Sequence, residues 1–203
     1  MNNKILKTEK NLLNLRNLRL QGKKIGLCHG VFDLLHVGHI NHFLEAKKKC
    51  DILVVSLTKD EFINKGPNRP VFKIDSRVKF LSNLSCLDHV YISNTSSALD
   101  AIKNITPNYY FKGPDYKNLK KDITGKIYDE IKMVKKYGGK ILFTETEIYS
   151  SSKILNENFK VFNKPQDLFL KKIKKNFELN DMLKKLSSLR NIKVHVIGEV
   201  IID

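Results

Sequence analysis

Five short apolar runs, separated by stretches with helical spacing, constrain the fold of this 203-residue chain more than any other feature. The runs are Ile25 to Cys28, Ile52 to Leu57, His89 to Ile92, Tyr109 to Phe111 and Ile141 to Phe143. Each is too short for a helix and is rich in branched or aromatic residues, the pattern of a strand covered on both faces. The intervening segments, roughly 38–49, 75–85, 96–104 and 125–137, carry apolar residues at helical intervals. Asp75 and Thr95 are predicted N-caps, and Gly138-Gly139 a helix stop. Strands alternating with helices of this length give βαβ units. The expected fold class is therefore α/β, a doubly wound parallel five-stranded sheet. Such sheets bind ligands beyond the carboxyl ends of their strands, so the loops after strands are where chemistry belongs.

Residues 4–20, with Leu12, Leu15 and Leu18 among polar neighbours, predict a leading amphipathic helix ended at Gln21-Gly22. Residues 168–190 predict a second such helix, a C-terminal helical linker, and no internal repeat is evident. Hydrophobic residues are 41% and charged residues 29%, which excludes a chain disordered throughout. No apolar run approaches the roughly 18 residues of a membrane span, and no signal-like stretch opens the sequence. A cytoplasmic location is expected. Cys28, Cys50 and Cys86 are odd in number and widely spaced, so buried thiols are expected and a disulfide framework is not. The net charge of +16 favours anionic partners: nucleic acid, acidic lipid or phosphorylated small molecules.

The loop after the first run reads His29-Gly30-Val31-Phe32-Asp33-Leu34-Leu35-His36-Val37-Gly38-His39. His36 and His39, three apart at a helix start, project to the same side. Gly38 between them permits close backbone approach to a ligand. A helix N-terminus supplies N–H groups and partial positive charge, a ready phosphate site. Two imidazoles beside it can donate to phosphoryl oxygens as charge builds there. His42 extends the series, but its spacing spreads ligands around a helix, and no protein metal site is expected.

His36-Val37-Gly38-His39, following Gly30-Val31-Phe32-Asp33, resembles the HxGH signature of the nucleotidyltransferases. The resemblance is to the cytidylyltransferase-like branch, which includes glycerol-phosphate cytidylyltransferase and the adenylyltransferase part of ADP-heptose synthase. It covers roughly residues 5–160 and implies a Rossmann-like fold. Further segments are similar in order: Arg69-Pro70-Val71 with Arg77, Leu87-Asp88-His89-Val90, Lys112-Gly113-Pro114-Asp115-Tyr116, and Tyr149-Ser150-Ser151-Ser152-Lys153-Ile154. The sequence departs from the branch at Glu145, where CTP-using relatives often carry Arg, at Ile148 in place of Gly, and at His29, where the heptose branch has Asn. The final run, Val194 to Asp203, resembles the opening strand of a ribokinase-type sugar kinase. The expected organisation is a nucleotidyltransferase domain over 1–160, a helical linker over 161–192 and the truncated start of a kinase-like domain over 193–203.

The resemblance implies transfer of a nucleoside monophosphate from CTP or ATP to a sugar or polyol phosphate, with pyrophosphate released and Mg²⁺ accompanying the triphosphate, for activated-sugar biosynthesis. It implies His36, His39 and Lys112 as catalytic residues. Val31, Phe32, Gly38, Ser150, Ser151 and Ser152 would bind the nucleotide. Lys65, Arg77 and Asp115 would bind the substrate phosphate. A homodimer is possible in such a family, and no membrane partner is expected. The alternative is a non-enzymatic basic nucleic-acid-binding domain. The charge supports it, but aromatic residues are not interleaved with the basic runs.

Overall fold

A computed structural model of the chain describes residues 4–65, 69–116, 126–145, 164–189 and 193, with Asp115 and Lys126 described by their backbone alone. Two compact units divide it, Met1–Ile154 and Leu155–Asp203.

In the first unit, β1 (Ile5–Leu6), β2 (Ile25–Gly30), β3 (Ile52–Thr58), β4 (His89–Ser93), β5 (Tyr109–Lys112) and β6 (Lys140–Phe143) form one sheet. Its order is β1-β4-β3-β2-β5-β6, and every pairing is parallel. The chain builds outward from β2 through β3 and β4, then returns to add β5 and β6 on the other side. The switch in direction lies at β2, where neighbouring loops diverge and leave a crevice.

Side-chain alternation along the strands explains why their apolar runs are continuous. Leu27, Val54 and Tyr110 join Leu15, Ala101, Ile102, Ile105 and Val134 in one core cluster. Cys28, Val55 and Phe111 join Phe43, Ala46, Val78 and Leu81 in another. The first cluster draws on α1 (Glu9–Leu20), α4 (Leu99–Ile105) and α5 (Lys126–Lys136); the second draws on α2 (Val37–Lys47) and α3 (Ile74–Ser82). Full burial of each such aliphatic side chain contributes about 1.5–3 kcal/mol, so both sheet faces are strongly committed. That commitment leaves the strand ends and their loops to carry the polar residues.

The five expected strands are present, and a sixth is added. Residues 4–20 are not one helix. Val90 N–H donates to Lys4 O at 2.8 Å, and Ile5-Leu6 pair in parallel with β4. The helix starts only after Thr8, whose Oγ1 accepts from Asn11 N–H while Asn11 Oδ1 accepts from Thr8 N–H. Asp75 lies in the first turn of α3 behind the cap Lys73, and α4 is capped at Ala98 rather than Thr95. Gly138, at φ 70°, ends α5 as expected, in the left-handed conformation glycine tolerates.

In the second unit, the single expected helix over 168–190 is two, Lys164–Asn176 and Leu179–Ser188, parted at Phe177-Glu178. Among the described residues no helix is long and apolar enough to cross a membrane. The run from Val194 lies outside the described residues.

Candidate active site

β2 delivers the first loop at Gly30. A Cβ there would lie 3.1 Å from the Phe32 ring, so glycine lets that ring fold back over the strand end. Phe32 itself takes φ 46°, a left-handed conformation that costs a bulky residue about 1–3 kcal/mol. The ring stands edge-on to His39, with centroids 5.5 Å apart, and edge-on to Phe43 at 5.1 Å. Phe43 is wholly buried, so Phe32 links the His39 ring to the rigid core.

His36 caps α2 with extended backbone, and its carbonyl accepts from His39 N–H at 2.9 Å. Its own N–H donates to His39 Nδ1 at 3.3 Å. With Nδ1 an acceptor, the neutral His39 ring carries its hydrogen on Nε2. The two imidazole centroids are 3.9 Å apart. Burial, then the nearby His36, His42 and Lys65, pulls the His39 pKa down to about 3. Burial lowers His36 as well. Both rings are therefore neutral at pH 7 and act as N–H dipoles rather than cations. Gly38 is buried in the same first turn.

His42 has a structural task. Its Nδ1 lies 2.8 Å from Thr144 Oγ1, which in turn donates to Lys112 O at 3.3 Å. Glu45 Oε2 accepts from Glu145 N–H at 2.8 Å, so α2 is tied to the exit of β6 at two points. Burial outweighs the opposing effect of Glu45 and lowers His42 to about 4. Among the described residues, no group of three or more His, Cys, Asp and Glu could hold a metal ion.

A cleft of about 570 Å³ opens beside β2, lined by His29, Val31, Thr58, Lys65, Lys112 and Glu130 among others. That volume suits a small ligand. Lys65 reaches it from the segment after β3. Partial desolvation, then Arg69, lowers the Lys65 pKa against the opposing pull of the Asp33 carboxylate. Lys112, at the end of β5, meets an acid: its Nζ lies 2.8 Å from Glu130 Oε2 and 4.5 Å from the Tyr116 ring centroid. Glu130 also accepts from Tyr110 Oη and Ala98 N–H, each at 3.0 Å. Burial pushes the Glu130 pKa up, but the Lys112 ammonium, its hydrogen bond and that from Ala98 N–H outweigh it and hold the carboxyl below its ordinary value.

Arg77 departs from its expected place as a phosphate ligand. It is 2% exposed, and its guanidinium donates to Phe72 O, Val31 O, Thr58 O and Asp60 Oδ1 at 2.6 to 3.0 Å. With those donors spent on the scaffold, it braces the Val31 carbonyl rather than a substrate. Sequence reasoning gave no role to Asp33, Arg69 or Glu130. Asp33 is 3% exposed and accepts from Arg69 Nε, Val71 N–H and Phe72 N–H at 2.8 to 3.0 Å, locking the histidine loop to the segment before α3. Arg69 Nη2 is buried and has no hydrogen-bond partner among the described residues. Asp33 and Arg69 sit inside motifs visible in the sequence, but nothing in the spacing pairs them. Ser150, Ser151 and Ser152, and the Asp115 side chain, lie outside the described residues.

A family profile described as cytidylyltransferase-like matches residues 27–157. The chain belongs to the cytidylyltransferase-like family of nucleotidyltransferases. It is 39% identical over 135 residues to the bifunctional protein HldE of Aliarcobacter butzleri, an alignment covering 65% of this chain and 27% of that protein. It is 36% identical over 149 residues to the bifunctional protein HldE of Desulfatibacillum aliphaticivorans, covering 70% and 28%. The matched region thus spans little more than a quarter of these relatives. Among solved structures, the lipopolysaccharide core biosynthesis protein from Thermoplasma volcanium matches with TM-score 0.50 and 24% identity, covering 64% of this chain and 100% of that one. The pantoate-beta-alanine ligase from Francisella tularensis matches with TM-score 0.55 and 17% identity, covering 91% and 85%. Both structural likenesses speak to the Rossmann-like fold.

Proposed function

We propose that the chain transfers a nucleoside monophosphate from CTP or ATP to a sugar or polyol phosphate, releasing pyrophosphate, as a step of activated-sugar biosynthesis in the cytoplasm. The observation that carries this is the His36–His39 pair, two neutral imidazoles at the N-terminus of α2 on the carboxyl edge of the sheet.

The substrate enters as the magnesium complex of the triphosphate, and an acceptor phosphate oxygen attacks the α-phosphorus in line. No enzyme nucleophile is required, so catalysis is placement and charge stabilisation. His39, its hydrogen held on Nε2, donates to a phosphoryl oxygen as charge accumulates, with His36 beside it. The free N–H groups of α2 and Gly38 add a second set of donors. Val31 and Phe32 flank the nucleotide, and Ser150 to Ser152 hold the β- and γ-phosphates. Lys65 binds the accepting phosphate.

Pyrophosphate release, measured with CTP and ATP against a panel of sugar and polyol phosphates, tests the proposal. His39→Ala is expected to lower turnover about a hundredfold, the usual cost of one transition-state donor, with the melting temperature nearly unchanged. Turnover near the wild-type rate in that variant refutes the assignment. Salt-dependent RNA binding without pyrophosphate release would favour the nucleic-acid alternative.

A further inference from the structure

The cleft beside β2 is lined by two lysines in different electrostatic settings. Lys65 makes no ion pair among the described residues. The charge of Lys112 is cancelled at 2.8 Å by Glu130, which is 3% exposed and anchored by Tyr110 and Ala98. Glu61 adds a further carboxylate to the lining.

A buried, charge-balanced pair has no net attraction for an anion. A carboxylate or second phosphate placed against it would shed its hydration and gain from Lys112 only what it loses to Glu130. A hydroxyl does better. It can accept from the ammonium, which has three donors, and donate to a carboxylate oxygen, without moving a net charge out of water. The pair therefore discriminates by building in a repulsive element as well as an attractive one.

We propose that Glu130 is a specificity-determining residue: it neutralises Lys112 so that this wall of the cleft takes the uncharged, hydroxyl-bearing body of the acceptor, while the single phosphate of that acceptor sits at Lys65. This rests on the assignment of the cleft to the phosphorylated acceptor. The acceptor class it names is a polyhydroxylated monophosphate without a second acidic group at the far end.

The test is a binding measurement on the full chain without nucleotide, so it is independent of whether pyrophosphate release has been detected. Two linear probes differ only at the end remote from the phosphate. Glucitol 6-phosphate ends in a hydroxymethyl group and 6-phosphogluconate in a carboxylate. Wild-type protein is expected to bind glucitol 6-phosphate at least about tenfold more tightly. Glu130→Gln, which keeps the side-chain shape and one accepting oxygen but removes the negative charge that covers Lys112, is expected to erase or invert that ratio. Lys65→Ala is expected to weaken both probes alike. Should Glu130→Gln fail to fold, Lys112→Met leaves the carboxylate uncompensated and must sharpen the preference for glucitol 6-phosphate. Equal or tighter binding of 6-phosphogluconate to wild type overturns the proposal. So does a ratio unmoved by the folded variants, or no binding of either probe at millimolar concentration.

Discussion

Replacing Arg77 by lysine separates a scaffold role from a phosphate-binding role, because lysine keeps the positive charge and loses the planar fork. Arg77 donates four hydrogen bonds, three of them to main-chain carbonyls: Val31 after β2, Thr58 at the end of β3 and Phe72 before α3. A lysine ammonium on an unbranched stem can satisfy one of these directions, so about three bonds are lost. At about 1 kcal/mol each, that is about 3 kcal/mol. The Asp60 pair adds little, since the Asp60 side chain is 26% exposed and its attraction is screened. For a unit of this size, each kcal/mol moves the melting temperature by about 2–4 °C, so Arg77→Lys should melt about 10 °C lower. Thermal unfolding followed by circular dichroism measures this, with acceptor KM determined well below the new midpoint. A melting temperature within 2 °C of wild type together with a large rise in acceptor KM would refute the scaffold role.

Two further outcomes follow from burial. His39 and His42, with pKa values lowered to about 3 and about 4, stay neutral when folded but take up protons below about 6.5 when unfolded. The unfolded state then binds more protons, so stability is complete above pH 6.5 and falls as the pH drops toward 4; urea unfolding at stepped pH should show this, and His42→Gln should flatten the slope. Burial pushes the Cys50 thiol up to about 11 and raises Cys28 and Cys86 too. A disulfide-exchange reagent at pH 8 should therefore modify the native protein slowly and all three thiols at once in denaturant.

Strand positions were legible because a sheet covered on both faces must spend unbroken apolar runs, and Leu27-Cys28 or Tyr110-Phe111 can serve opposite clusters at once. Ile5-Leu6 was not, because two apolar residues beside a helical pattern share its periodicity; only the Thr8–Asn11 cap separates them. The His36–His39 pair was legible from local spacing, since one turn of helix brings such residues together. Arg77 misled because a guanidinium facing inward and one facing a ligand look alike in sequence. Lys112 with Glu130, and Asp33 with Arg69, are partners across 18 and 36 positions, distances at which only the fold decides who meets whom.

The amide of His36 occupies one nitrogen of His39, and with it a control point. The hydrogen that the imidazole presents is dictated by chain connectivity in a single helical turn instead of by the acidity of the surroundings. With the pKa of the ring lowered to about 3, a change of pH through the neutral range leaves that hydrogen in place.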